Sequence, residues 1–228
     1  MPEMWRVDLH MHTRFSPDST NEIDALIARA REQGLARIAI TDHDTIEGAL
    51  VAHERAPEFV IVGEEIETAT GGELIAYFVK EAVPRGLPLD ETLKRLHAQG
   101  AVVSISHPVD RFRGSALGEQ LTRSIIDQVD ALEAFNARCL AAADNEKAAA
   151  LAQQYLKAAT AGSDAHTLAE VGAAYVVMPP FDMNPAAFRA SLANGRPEGR
   201  LSGVAPHFLS TIAKWKKVHQ LAAKVVTA

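Results

Sequence analysis

Eight short apolar runs, at 5–8, 36–41, 59–62, 73–80, 101–106, 131–135, 157–161 and 175–178, recur along this 228-residue chain. Between most of them lie segments with helical periodicity. The segment 21–33 carries Ile23, Leu26, Ile27 and Ala30 on one face, and Gly34 closes it as glycine does beyond a helix C-terminus. Further helices are expected at 89–99, 117–129, in the alanine-rich 137–156, and at 184–192, where Pro185 takes the first helical position. Asp44-Thr45-Ile46-Glu47 reads as a capping box that opens a short helix. Strands alternating with helices imply an α/β fold with a mainly parallel sheet. Eight strands in so short a span suit a closed or nearly closed barrel better than an open sheet. Residues 1–204 read as one domain. Residues 205–228 read as a helical appendage packed on or beside the barrel, with Phe208, Ile212, Trp215 and Val218 on one face and Lys214, Lys216, Lys217 and Lys224 solvated elsewhere; a partner or nucleic-acid contact is the alternative.

Composition narrows the functional classes. A net charge of -6 argues against nucleic-acid binding driven by bulk charge, but leaves room for a small phosphorylated substrate. The single cysteine, Cys139, excludes an intramolecular disulfide and fits a reducing compartment. The first residues, Met1-Pro2-Glu3-Met4-Trp5-Arg6, lack the apolar core of a secretory signal, and no apolar run is long enough to span a membrane. These features read as a soluble, cytoplasmic protein.

The polar residues carry the chemistry by their positions. His10 and His12 are two apart at the end of the first strand, so their side chains share a face. A pair of imidazoles can grip a transition metal, although His-x-His alone is equally consistent with incidental histidines. His43, Glu65, His107 and the pair Asp164/His166 also lie where apolar runs end. Strand C-termini gather at one face of parallel α/β folds, where active sites are built. His53, His97, His207 and His219 fall in or beside helices and read as ordinary. Five histidines with two or three carboxylates exceed what one tetrahedral zinc needs, which points to more than one ion. Asp8 and Asp42 are read as orienting imidazoles, with backbone capping equally consistent, and Asp42 is also counted with the catalytic group. Arg111, four residues past His107, is the arginine expected at a phosphate, and Arg138 is a second such residue.

Taken in order, Asp8-Leu-His-x-His-Thr, Ile40-Thr41-Asp42-His43-Asp44, Gly63-x-Glu65, Ser106-His107-Pro108 and Gly162-Ser163-Asp164-Ala165-His166 resemble the polymerase and histidinol phosphatase (PHP) family, over residues 5 to about 180. The resemblance implies a distorted (β/α)7 TIM-like barrel with two or three divalent ions, Mn, Fe or Zn, and phosphoesterase activity through attack of metal-bound hydroxide on phosphorus. It implies that His10, His12, Glu65 and Asp164 hold one ion. His43, His107 and His166 would serve the neighbouring ions, and Asp18 takes a loop position that often supplies a further ligand. The family pattern has a histidine in the strand after the glutamate motif, whereas this chain has Glu73-Leu74-Ile75-Ala76 there. The expected substrate is a nucleotide or a short nucleic-acid phosphoester. Histidinol phosphate is the alternative within the class. A metal-dependent amidohydrolase and a non-catalytic, metal-stabilised PHP module are the alternatives outside it. The sequence leaves the oligomeric state open.

Overall fold

The computed structural model describes residues 3–204, 208, 210–212, 215 and 217. The strands are β1 (Trp5–Asp8), β2 (Arg37–Ile40), β3 (Val60–Glu67), β4 (Glu73–Tyr77), β5 (Val102–Ile105), β6 (Ala131–Asn136), β7 (Ala158–Gly162), β8 (Ala174–Met178) and β9 (Arg196–Gly199). The helices are α1 (Ile23–Glu32), α2 (Glu47–Arg55), α3 (Leu89–Ala98), α4 (Glu119–Ile125), α5 (Ala142–Gln154) and α6 (Pro185–Leu192). All eight expected strands form. The additional strand, β9, has the sequence Arg-Pro-Glu-Gly and no apolar signature, and it pairs only with β8.

The sheet runs β7-β6-β5-β4-β3-β2-β1-β8-β9. It comes round on itself because the chain beyond β1 meets β7: Leu9 N–H donates to the Ala161 carbonyl at 3.2 Å, and Asp164 N–H to the His10 carbonyl at 2.7 Å. Seven strands therefore form a nearly closed barrel, and β8 and β9 extend it outside that ring. Gly162 permits the closure, since a Cβ there would sit 2.2 Å from His10 Cβ. Side-chain alternation builds the two layers. Ala39 and Ile61 point into the barrel with Val7, Leu9, Ile75, Tyr77, Val102 and Ala131. Ile38, Ile40 and Val60 point outward, where Leu26, Ile27 and Ala30 of α1 and Ala49 and Ala52 of α2 cover them. Leu93 and Leu96 of α3 cover Leu74, Val103 and Ile105 in the same way.

Several expectations need correction. β4 is antiparallel to both β3 and β5, because the turn at Gly71, with φ +80°, joins it to β3 as a hairpin. Asp44-Thr45-Ile46-Glu47 is not a capping box: α2 starts at Glu47 without a side-chain cap, and Asp44 instead accepts from the Glu67 N–H at 2.9 Å. The helix expected at 117–129 ends at Ile125 in a single 3-10 turn, and α5 begins at Ala142 rather than at 137. By contrast, α6 starts as expected, with the Asn184 side chain accepting from Ala187 N–H. In the C-terminal segment, Phe208, Ile212 and Trp215, the described residues of the apolar face, are 69%, 49% and 65% exposed. Ser210 is buried, and Lys217 Nζ donates to the carbonyls of Arg14, Ser16 and Ser19. Lys214, Lys216, Val218 and Lys224 lie outside the described residues. Among the described residues no helix is long and apolar enough to cross a membrane.

Candidate metal centre

One mouth of the barrel gathers nearly all the polar residues that mark the strand ends. His10 and His12 follow β1, His43 follows β2, Glu65 lies near the end of β3, His107 follows β5, and Asp164 and His166 follow β7. Two of these positions are held in left-handed backbone that non-glycine residues rarely adopt: His107 at φ +26° and Asp164 at φ +52°. Such conformations persist where the surrounding structure fixes them, and they concentrate at functional sites.

The side chains converge closely. His10 Nε2 and His12 Nε2 are 3.1 Å apart. Glu65 Oε2 lies 3.2 and 3.4 Å from these nitrogens, and Asp164 Oδ1 lies 3.6 and 3.3 Å from them. Donors at about 2.0–2.2 Å around a tetrahedral ion stand about 3.3–3.6 Å from one another, so His10, His12 and Glu65 are spaced as ligands of one cation, and Asp164 lies in the same range from both imidazoles. Glu65 Oε2 and Asp164 Oδ1 are buried and have no hydrogen-bond donor, a costly state unless a cation satisfies them. A second convergence joins Glu65 to His107, with Oε1 3.2 Å from Nε2, and to His43, with Oε2 3.2 Å from Nδ1. In a third, Asp18 meets His166 Nε2 at 3.3 Å and His43 Nε2 at 3.6 Å, and His12 closes the group. The donor set fits divalent metal ions, with Glu65 central to it.

The ionisation of these groups follows from the crowding. Burial pushes the His43 imidazolium down, but Glu65, Asp18 and Glu73 outweigh it and raise the pKa to about 10. Burial similarly opposes charge on His10, which Glu65, Asp164 and Glu133 hold protonated well above the ordinary histidine range. His12 goes the other way, down to about 3, because burial is reinforced by His166 and His43. Burial pushes the carboxyls of Glu65 and Asp164 up, yet the histidines around both, and Arg113 beside Asp164, hold them well below the usual range. In the protein alone, protons on imidazoles supply the positive charge that this nest of carboxylates requires.

The imidazoles are oriented from behind. His10 Nδ1–H donates to Glu133 Oε1 at 2.9 Å, so when the ring gives up its second proton to a cation it is Nε2, facing Glu65 and Asp164, that becomes bare. Glu133 Oε2 accepts from the His107 N–H and from Asn136, whose amide also reaches Asp164 Oδ2 at 3.2 Å. His12 Nδ1–H donates to Ser16 Oγ at 3.0 Å, and the Ser16 hydroxyl donates in turn to Asp42 Oδ1 at 2.7 Å.

This arrangement redistributes the roles read from sequence. All eight expected ligand positions, His10, His12, Asp18, His43, Glu65, His107, Asp164 and His166, come together. Asp42 does not touch an imidazole or the cavity. It accepts from Thr13 N–H, Thr13 Oγ1 and Ser16 Oγ, and so fixes the loop after His12 rather than acting on substrate. Asp8 likewise touches no imidazole ring: it accepts from the N–H groups of His10, Ser163 and Gly172 and from the Ser163 side chain. Arg111 is displaced from its expected place: its guanidinium turns outward to pair with Asp144 at 2.7 Å. Arg113, two residues on, takes the inward position, with Nη1 2.6 Å from Asp164 Oδ2. Arg138 braces His166, with Nη1 2.5 Å from Nδ1, and Nη2 donates to Ser210. Arg113, Arg138, Arg85, Asp18, His43 and Glu73 line a cavity of about 590 Å³ over the centre. The sequence reading missed Glu133, Arg113 and Glu73, whose Oε2 lies 3.3 Å from His107 Nε2.

Comparison with known proteins agrees with this geometry. The PHP domain matches residues 8–163, and a PHP-associated region matches 142–197. An uncharacterized protein of Methanocaldococcus jannaschii is 34% identical over 192 residues, covering 80% of this chain and 77% of the relative. A probable histidinol-phosphatase of Thermotoga maritima is 32% identical over 78 residues, 34% of each chain. Among solved structures, a two-domain Bacteroides vulgatus protein containing a predicted PHP-like metal-dependent phosphoesterase superposes with a TM-score of 0.70 at 16% identity, over 87% of this chain and 65% of that one. The lesion-specific endonuclease Q of Pyrococcus furiosus superposes with a TM-score of 0.65 at 14% identity, over 86% and 58%. With the domain match spanning most of the barrel and the ligand motifs meeting at one mouth, the chain belongs to the PHP family of metal-dependent phosphoesterases.

Proposed function

We propose that this protein hydrolyses a phosphoester of a small phosphorylated substrate, a nucleotide or a short nucleic-acid fragment, at the barrel mouth. The observation that carries the reading is the set of buried donors spaced 3.1–3.6 Å apart, with orphaned oxygens of Glu65 and Asp164 aimed into it. His10, His12, Glu65 and Asp164 would hold one ion, and Glu65, His107, His43, Asp18 and His166 its neighbours. Bound divalent ions supply Lewis-acid charge for phosphoryl oxygens and lower the pKa of water. The chain's own residues supply the rest. Glu133 and Ser16 fix the tautomers that turn bare Nε2 atoms of His10 and His12 inward. Arg113 sets a guanidinium on the cavity wall beside Asp164, where it can neutralise charge developing on a phosphoryl group. A cavity of about 590 Å³ suits a small-molecule substrate or the end of a strand, within the usual ligand-pocket range of about 300–1,000 Å³.

The structural similarity to endonuclease Q supports a nucleic-acid phosphoester as substrate, and the partial match to a probable histidinol-phosphatase supports the second reading. A panel of mononucleotides, nucleoside 3′,5′-bisphosphates, short oligonucleotides and histidinol phosphate, assayed for product with added Mn²⁺, separates them. Folded His10→Ala and Asp164→Ala variants should lose at least about 100-fold in rate. Full activity in either variant, or no phosphoester cleaved by the parent, overturns the proposal.

A further inference from the structure

The carboxylate of Glu73 stands where the family pattern led us to expect a histidine, and its surroundings give it a specific task. β4 runs against its neighbours, so its first residue, not its last, reaches the mouth. Glu73 is fixed there by backbone: its N–H donates to the Ser115 carbonyl, and its own carbonyl accepts from the Ser106 N–H. Its two oxygens address the same imidazoles as Glu65. Glu73 Oε2 is 3.3 Å and Glu65 Oε1 3.2 Å from His107 Nε2. Glu73 Oε1 is 3.6 Å and Glu65 Oε2 3.2 Å from His43 Nδ1. A neutral imidazole has one bare nitrogen. If His43 turns Nε2 to an ion beside Asp18 and His166, its Nδ1–H is left to donate to these carboxylates. His107 is then the imidazole left to share a cation with the two glutamates through a bare Nε2.

We propose that Glu73 is a direct ligand, completing with Glu65 and His107 an oxygen-rich cation subsite tuned toward a hard ion such as Mn²⁺ and away from Zn²⁺. Carboxylate ligands suit Mg²⁺ and Mn²⁺, whereas added imidazole favours Zn²⁺ and its later first-row neighbours. One carboxylate in place of one histidine shifts that balance at this subsite, while the two imidazoles of the His10/His12 group remain. The inference rests on the metal-centre reading above but concerns ion choice, so it is tested by binding rather than by turnover.

The experiment uses the full chain, stripped with chelator and then titrated with Mn²⁺ alone, followed by electron paramagnetic resonance. A second arm offers equimolar Mn²⁺ and Zn²⁺ and measures retained metal by mass spectrometry. Removing even a group that only orients a ligand weakens metal binding about 10–100-fold. Glu73→Gln should therefore lose one Mn²⁺ equivalent or bind it more than about 100-fold more weakly. Glu73→His should recover the ion count but move the Mn:Zn ratio at least about 10-fold toward zinc. Circular dichroism checks each variant's fold, and Glu73→Asp, which keeps the carboxylate, should retain the parent's ion preference. Unchanged Mn²⁺ stoichiometry and affinity in Glu73→Gln, or an unchanged ratio in Glu73→His, overturns the proposal. A parent that binds ions as described yet cleaves no phosphoester overturns the functional reading alone.

Discussion

Gly162→Ala tests how tightly the barrel closure and the metal centre are linked. The added Cβ would lie 2.2 Å from His10 Cβ, 2.7 Å from His10 N and 2.9 Å from His10 Cα. All three atoms belong to the strand end that carries the ligand, so no flexible side chain can swing away. To reach ordinary contact, the segment after β1 must move from β7 by roughly 1 Å. Overpacking of this kind costs about 1–3 kcal/mol, which for a chain of this size lowers Tm by about 2–12 °C. The same movement disturbs the 3.1–3.6 Å spacing of His10 with His12, Glu65 and Asp164. Misplacement by about 1 Å near reacting groups costs on the order of 100-fold in rate. Thermal melts and metal titration on the same sample read both effects. Gly114→Ala, where a Cβ meets nothing within 4 Å, is the control and should resemble the parent. If Gly162→Ala keeps the parent's Tm and metal affinity, the proposed coupling between strand contact and ligand geometry is wrong.

Other consequences follow from the same structure. Glu133→Gln should weaken metal binding about 10–100-fold without unfolding the protein, since it disturbs the acceptor behind His10 and the His107 backbone; isothermal titration measures it. Arg113→Ala should lower kcat/KM for a phosphoester at least about 100-fold, whereas Arg111→Ala, on the outer side with Asp144, should leave it within about twofold. With His43 raised from 6.5 to about 10, metal uptake at pH 7 should displace its proton, so apparent metal affinity rises with pH, measurable as proton release into weakly buffered solution. Because the folded value lies above the ordinary one, this proton's contribution to the metal-free protein is complete below about pH 6.5 and is lost as pH passes about 10. Leu156, 93% exposed with φ +53° just beyond α5, occupies a glycine-like position; Leu156→Gly should raise Tm by about 1–4 °C, and a lower Tm would contradict that view of the helix end.

The barrel class and most of the site were legible because one rule ties them: in parallel α/β folds, polar residues at strand C-termini share a face. His10, His12, His43, His107, Asp164 and His166 obey it. Glu73 escaped because β4 is reversed, so its N-terminal residue lies at the mouth; the Gly71-Gly72 turn was the local sign of that reversal. Glu133 escaped because it lies within a strand, although a glutamate between Leu132 and Ala134 was itself a signal of an inward polar contact. Choosing Arg111 over Arg113 depended on the path of the loop after His107, which spacing does not determine. In the C-terminal segment Lys217 finds three backbone carbonyls in the loop around Asp18, a contact that helical periodicity does not register.

The most direct test of the central claim is anomalous diffraction from crystals grown with Mn²⁺. The account predicts ions that share Glu65, one held by His10, His12 and Asp164 and another by Glu73 and His107. Anomalous density absent from this mouth at millimolar Mn²⁺, or present only on ligands elsewhere, would contradict it.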